Sequence, residues 1–155
     1  MKDLKKILIE KVNNSNWWHV PPADPDAYKK RGKFLASTYT QAEFYGRPNI
    51  QPEKVRIKNP LFGFSDKDVL KKLFGQRSTK LLMKEISIKD TYKAIIELDA
   101  KMCRRARYLN YDAIVLMAKS GKNFLRKGIK PKSIELNLMN TAGFAKKRKC
   151  ALNLC

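Results

Sequence analysis

Residues 30–46, KRGKFLASTYTQAEFYG, read as a strand that turns directly into a helix, and this junction constrains the fold more than any other stretch of the chain. Phe34, Leu35 and Ala36 form a short apolar run after Gly32. Ser37 and Thr38 then offer hydroxyls suited to a helix N-cap, and Ala42, Phe44 and Tyr45 follow at helix-compatible spacing. Gly46 closes the helix and Pro48 prevents its resumption. Hydroxyls at a strand end with aromatics one turn further on give a small-ligand cleft a polar floor and a flat wall. An ordinary strand-to-helix junction uses the same pattern.

With 155 residues and 43% hydrophobic content, the chain can bury one sizeable core, so residues 1–140 are expected to form a single domain followed by a basic tail over 141–155. Lys and Arg number 34 against 14 Asp and Glu, a net charge of +20 that suggests nucleic acid, an acidic protein surface or a phosphate-rich ligand as partner, nucleic acid foremost, although a solubilising surface has the same composition. Charge alone supplies binding without chemistry. Cys103, Cys150 and Cys155 make an odd set without a CxxC spacing, which points to a reducing, cytoplasmic setting. No run reaches the length of a membrane span, and the first residues lack the apolar core of a signal peptide.

Along the chain, Leu4, Ile7, Leu8 and Val12 suit a short amphipathic helix, and Trp17–Val20 a first strand ended by Pro21 and Pro22. KVRIK at 54–58 alternates as a strand, and Ser65 and Gly75 bracket a short helix. Residues 77–84 read as a basic connection. Ser87 opens the longest helix, expected over 88–109, with Asp99 in the middle of its apolar face. A carboxylate there must pair, hydrogen-bond or take a proton. YDAIVLMA at 111–118 reads as a strand buried on both faces, and residues 119–132 carry six cations and no acid. SIELNL at 133–138 alternates, with Ser133, Glu135 and Asn137 on its polar face.

One histidine and scattered cysteines supply no usual metal constellation, and neither GxxxxGK[ST] nor GxGxxG occurs. No serine sits in a nucleophile elbow.

GKFLASTYTQAEFYG resembles the strand and following helix of the ADP-ribosyltransferase fold, VRIKNPL the strand and Asn-Pro turn of its small phage and bacterial members, and YDAIVLMAKSG with KPKSIELNL its paired late strands. The resemblance spans residues 17–139. It implies an α+β fold with a strand-rich core of two small sheets, one long helix and shorter flanking helices. It also implies transfer of ADP-ribose from NAD, as substrate, to a protein or nucleic-acid acceptor, as in a toxin or phage effector. Breaking the glycosidic bond develops positive charge on the ribose, which a nearby carboxylate stabilises. Glu135 takes that role. His19 matches the histidine of one branch of the family, and Ser37 and Thr38 match the hydroxyl motif of another. Tyr39 or Tyr45 could stack on nicotinamide, with Gly32 and Phe34 in the same nucleotide-binding strand, and Arg31 and Lys33 could meet the diphosphate.

The chain departs from the family where HVP replaces His-Gly-Thr or His-Gly-Ser, Ser-Thr-Tyr replaces Ser-Thr-Ser and no ExE or QxE pair surrounds Glu135. Asp99 or Asp112 could then substitute for the acid. Two other readings stand beside the enzyme: a non-catalytic nucleic-acid-binding module, and an inactive ADP-ribosyltransferase-fold protein that acts by occupying a partner.

Overall fold

The alternation of SIELNL dictates the centre of the molecule. β5 (Ile134–Leu138) lies antiparallel between β2 (Lys33–Ala36) and β4 (Ala113–Met117), placing Ala36, Glu135 and Leu116 in one row and, two residues along, Phe34, Asn137 and Ile114 in another. β1 (Trp18–His19) adds antiparallel to β2, and β3 (Pro60–Gly63) adds parallel to β4. The result is one mixed sheet in the order β1-β2-β5-β4-β3. The computed structural model describes residues 3–89 and 91–139, so the tail expected over 141–155 lies outside the described residues.

Because period-2 strands send alternate side chains to opposite faces, the sheet builds two cores. On one face Leu35, Val115, Ile134 and Leu136 pack under α1 (Leu4–Asn13), α7 (Gly121–Arg126) and the extended residues Val55 and Ile57. Leu8, Val12 and Leu125 are fully buried there, each contributing about 1.5–3 kcal/mol of transfer free energy. On the other face Leu61 and Ile114 meet α4 (Asp66–Phe74) and α6 (Tyr92–Tyr108) through Val69, Leu73, Cys103 and Ala106. Gly63 lets α4 come close: a Cβ there would stand 2.7 Å from Val69 Cγ2.

The α+β class agrees with expectation, but the strands join one sheet among the described residues rather than two, and helices outnumber strands. KVRIK shows why. Val55 and Ile57 are buried in alternation, yet the Asn13 side chain takes both backbone groups of Ile57, accepting from its N–H at 2.8 Å and donating to its carbonyl at 3.0 Å. Lys58 and Asn59 give their N–H groups to the Asp112 carboxylate, so side chains stand where a neighbouring strand would be. Just before this segment, Glu53 makes an isolated bridge to Trp17.

Residues 77–84, expected as a connection, belong to α5 (Gln76–Lys89), and Ser87 lies within that helix. α6 starts later than expected because Thr91 caps it, accepting from Ala94 N–H at 3.1 Å. It ends with Asn110 at φ 67°, a left-handed residue that lets Tyr111 N–H return to the Ala106 carbonyl. Among the described residues no helix is long and apolar enough to cross a membrane.

Gly32 joins α2 (Ala27–Arg31) to β2 at φ 84°, and a Cβ there would lie 2.3 Å from Asn137 Oδ1 and 2.7 Å from the Leu138 carbonyl oxygen. Gly32→Ala should therefore cost about 2 kcal/mol or more in urea unfolding, whereas Gly75→Ala, with open space around its Cβ, should cost only about 1. Equal losses would contradict the packing role given to Gly32.

Candidate active-site cleft

The second face of the sheet is incompletely covered. α5 buries only Thr79 among its described residues, so Met83 and Ile86 overhang the sheet instead of packing onto it. Beneath them lies a cleft of about 470 Å³, within the size range of small-molecule sites. Its floor is Phe34, Glu135, Asn137, Ile114 and Leu116 of the sheet, and Val69 and Leu70 of α4 form one wall. α6 supplies Ile95, Leu98, Asp99 and Met102.

The charged residues lining this cleft are Asp66, Asp99 and Glu135, an acidic set inside a chain of net charge +20. They are dispersed around the walls: no group of three metal-ligating side chains close enough to hold an ion occurs among the described residues. Glu135 accepts a hydrogen bond at Oε1 from the Tyr45 hydroxyl, 3.0 Å away, and no hydrogen bond to its other oxygen is found among the described residues. Burial, then the Glu135 charge, push the Tyr45 phenol up to about 12, so it remains a donor at physiological pH. Asp99 bonds Arg31 Nη2 at 2.9 Å, with each side chain about a quarter exposed. Burial raises the Asp99 carboxyl, and Arg31 opposes that rise. The same guanidinium stands 5.7 Å from the Phe34 ring centroid.

Local sequence explains how Tyr45 reaches Glu135. Thr38 caps α3 (Tyr39–Ala42), accepting from Gln41 N–H at 3.1 Å, and the 3₁₀ turn Glu43–Tyr45 follows. Ser37 donates to Gln41 Oε1 at 2.7 Å, and Gln41 Nε2 donates to Ser133 at 2.8 Å. This chain of hydrogen bonds ties the end of β2 to the start of β5, two residues from Glu135.

Phe34 and Glu135 thus share the cleft, Tyr45 joins them through Glu135, and Arg31 stands at Phe34. Ser37 and Thr38 hold the framework, and Gly32 packs on the Asn137 amide. The other expected residues lie elsewhere. Lys33 is buried and paired with Glu53 at 2.5 Å. Tyr39 stacks edge-on against Trp18, with ring centroids 5.4 Å apart. His19 is 4% exposed, with Nδ1 2.7 Å from the Phe34 carbonyl and Nε2 2.8 Å from the Tyr28 hydroxyl. Both its nitrogens are occupied, which ties β1 to β2 and α2. Asp112 is committed to backbone N–H groups outside the cleft, whereas Asp99 lines it.

Sequence reasoning missed Asp66, in the first turn of α4, and the overhang of α5. It placed Asp99 on a buried face but not opposite Arg31, 68 residues away. Comparison with known proteins adds no assignment. No family model, no curated protein and no solved structure matches this chain.

Burial lowers the His19 pKa below its ordinary 6.5, so the unfolded chain binds the proton more readily. Its stabilising contribution is complete above pH 6.5 and is lost as pH falls through that value toward the folded pKa. As the only histidine in the chain, it should dominate the decline in urea stability between pH 7.5 and 5, and His19→Gln should flatten that decline. An unchanged slope in the variant would place the titration elsewhere.

Proposed function

We infer that the cleft binds the nicotinamide ribose end of NAD and that the protein is an ADP-ribosyltransferase acting on a macromolecular acceptor. The observation that carries this reading is Glu135: a carboxylate on a sheet floor, held at one oxygen by Tyr45, beside an apolar wall and two further carboxylates. Such a set favours a cation bearing hydroxyl groups. The oxidised nicotinamide ring is cationic, and its ribose supplies hydroxyl donors for Glu135. Phe34, 42% exposed, offers a face for the planar ring.

In the reaction, the bond between ribose C1′ and the nicotinamide nitrogen breaks and its electron pair leaves with the ring, which becomes neutral. Positive charge spreads over C1′ and the ring oxygen, where the Glu135 charge is most stabilising. A nucleophile of the acceptor forms the new bond to C1′ and its proton passes to Glu135 or solvent. Water in the same place gives NAD hydrolysis.

A second reading, a protein of this fold that binds a partner without turnover, is favoured by the ion pairs. Arg31 and Lys33, the residues expected to meet the diphosphate, are engaged by Asp99 and Glu53. Nicotinamide release from NAD, measured with RNA, DNA and cell lysate as acceptors, separates the two. Turnover should fall at least about 100-fold in Glu135→Gln. In Tyr45→Phe it should fall about fivefold, the value of about 1 kcal/mol for one partly exposed hydrogen bond to a charge. Release that depends on Glu135 would support the first reading, whereas no release with any acceptor would contradict it and leave the second.

A further inference from the structure

The layer behind the sheet, opposite the cleft, has the reverse electrostatic character. α7 and its flanks carry Lys119, Lys122, Arg126, Lys127, Lys130 and Lys132, with no acid between them. The neighbouring extended segment adds Lys54, Arg56 and Lys58, which point outward because Val55 and Ile57 point into the core. α1, packed against α7, contributes Lys6 and Lys11. None of these cations lies within ion-pairing distance of a carboxylate among the described residues.

The acids that could neutralise this surface are mostly spent. Asp112 binds the N–H groups of Lys58 and Asn59, Asp3 caps α1, and Glu53 pairs with Lys33. Lys130 is pressed over the Trp17 ring at 4.9 Å, and both burial and the Lys54 charge disfavour its ammonium form. Like charges so crowded stabilise the fold only when an anion joins them.

We propose that this back layer is a docking surface for the phosphate backbone of duplex nucleic acid. Alternate residues of an extended segment are about 6.6 Å apart, on the scale of successive phosphates, so Lys54, Arg56 and Lys58 present a row of matching pitch. Lys122 and Arg126 add further charge on the exposed side of α7. Among the described residues of this layer no aromatic ring, the platform on which single strands stack, is substantially exposed: Trp17 is fully buried, Phe124 is half-buried with Lys132 over its ring, and Ile129 is the one large apolar side chain of residues 119–132 that stands out. Recognition is therefore by charge and shape, without base readout. The cations at the end of α6, Lys101, Arg104, Arg105 and Arg107, are the weaker competitor, since Arg105 donates to the Leu73 carbonyl and Arg107 to the carbonyls of Met139, Tyr28 and Lys29. Of the back-layer row only Lys54 makes such a bond among the described residues, to the Asn14 carbonyl at 3.2 Å. Docking at this layer does not depend on turnover at the cleft.

The test is fluorescence anisotropy of the full chain with duplex RNA, duplex DNA, single-stranded DNA and polyglutamate across a salt series. One variant combines Arg56→Gln, Lys122→Gln and Arg126→Gln. A control combines Lys84→Gln, Lys93→Gln and Lys101→Gln on α5 and α6, removing the same charge. All six side chains are exposed, so both variants should keep the wild-type melting temperature. A second back-layer variant, Lys119→Gln with Lys127→Gln and Lys132→Gln, serves if the first melts early.

The expected result is duplex binding of either sugar type. The back-layer variant should lose at least about tenfold in affinity and up to about 2.7 units of the salt slope, while the control stays within about threefold. A preference between the two duplexes would identify which nucleic acid is carried. Equal losses in variant and control, no duplex binding, or polyglutamate or single strands bound as tightly as duplex would overturn the proposal.

Discussion

The antiparallel seating of β5 between β2 and β4 is the constraint on which both faces depend. Ile134 and Leu136 must enter the core under α1 and α7, and the two-residue period then obliges Glu135 and Asn137 to face α6. A slip of one residue would bury a carboxylate among Leu8, Val12 and Leu125 and expose Leu136, at a cost the fold could not absorb. The position of the cleft acid is therefore a consequence of core packing, and Tyr45 only orients a group that the register has already placed.

Charge is distributed by the same division of faces. Asp66, Asp99 and Glu135 line a gap between α5 and the sheet, while cations without an ion pair among the described residues collect around α7 and the segment Val55–Ile57. A polyanion attracted to the back would leave the acidic cleft uncovered on the far side of the sheet. If both surfaces operate together, the acceptor must extend around the edge of the sheet or be a protein carried on the same nucleic acid.

Much of the framework was legible because it rests on local chemistry. The strand-to-helix junction at 33–42, the Ser65 cap and Gly75 end of α4, and the alternation of β5 all follow from residue type and spacing. Failures arose where a distant side chain replaced expected local structure. Asn13 satisfies Ile57 from 44 residues away, so an alternating segment never becomes a strand. His19 and Lys33, both plausible ligand groups by type, are claimed by Tyr28, the Phe34 carbonyl and Glu53. Periodicity predicts which face Asp99 occupies but not that Arg31 meets it, because that contact depends on α2 packing against α6.

The most direct test of the cleft is a backbone amide NMR titration of the wild-type chain with NAD and, in parallel, with NADH, whose nicotinamide ring is uncharged. Binding at the carboxylate cleft should move the amides of Phe34, Leu116, Glu135 and Asn137 together with those of residues 83–87. It should leave α1 and α7 unmoved and be tighter for NAD than for NADH. No shifts at those residues, shifts confined to the basic layer around α7, or equal affinity for the two nucleotides would contradict the assignment.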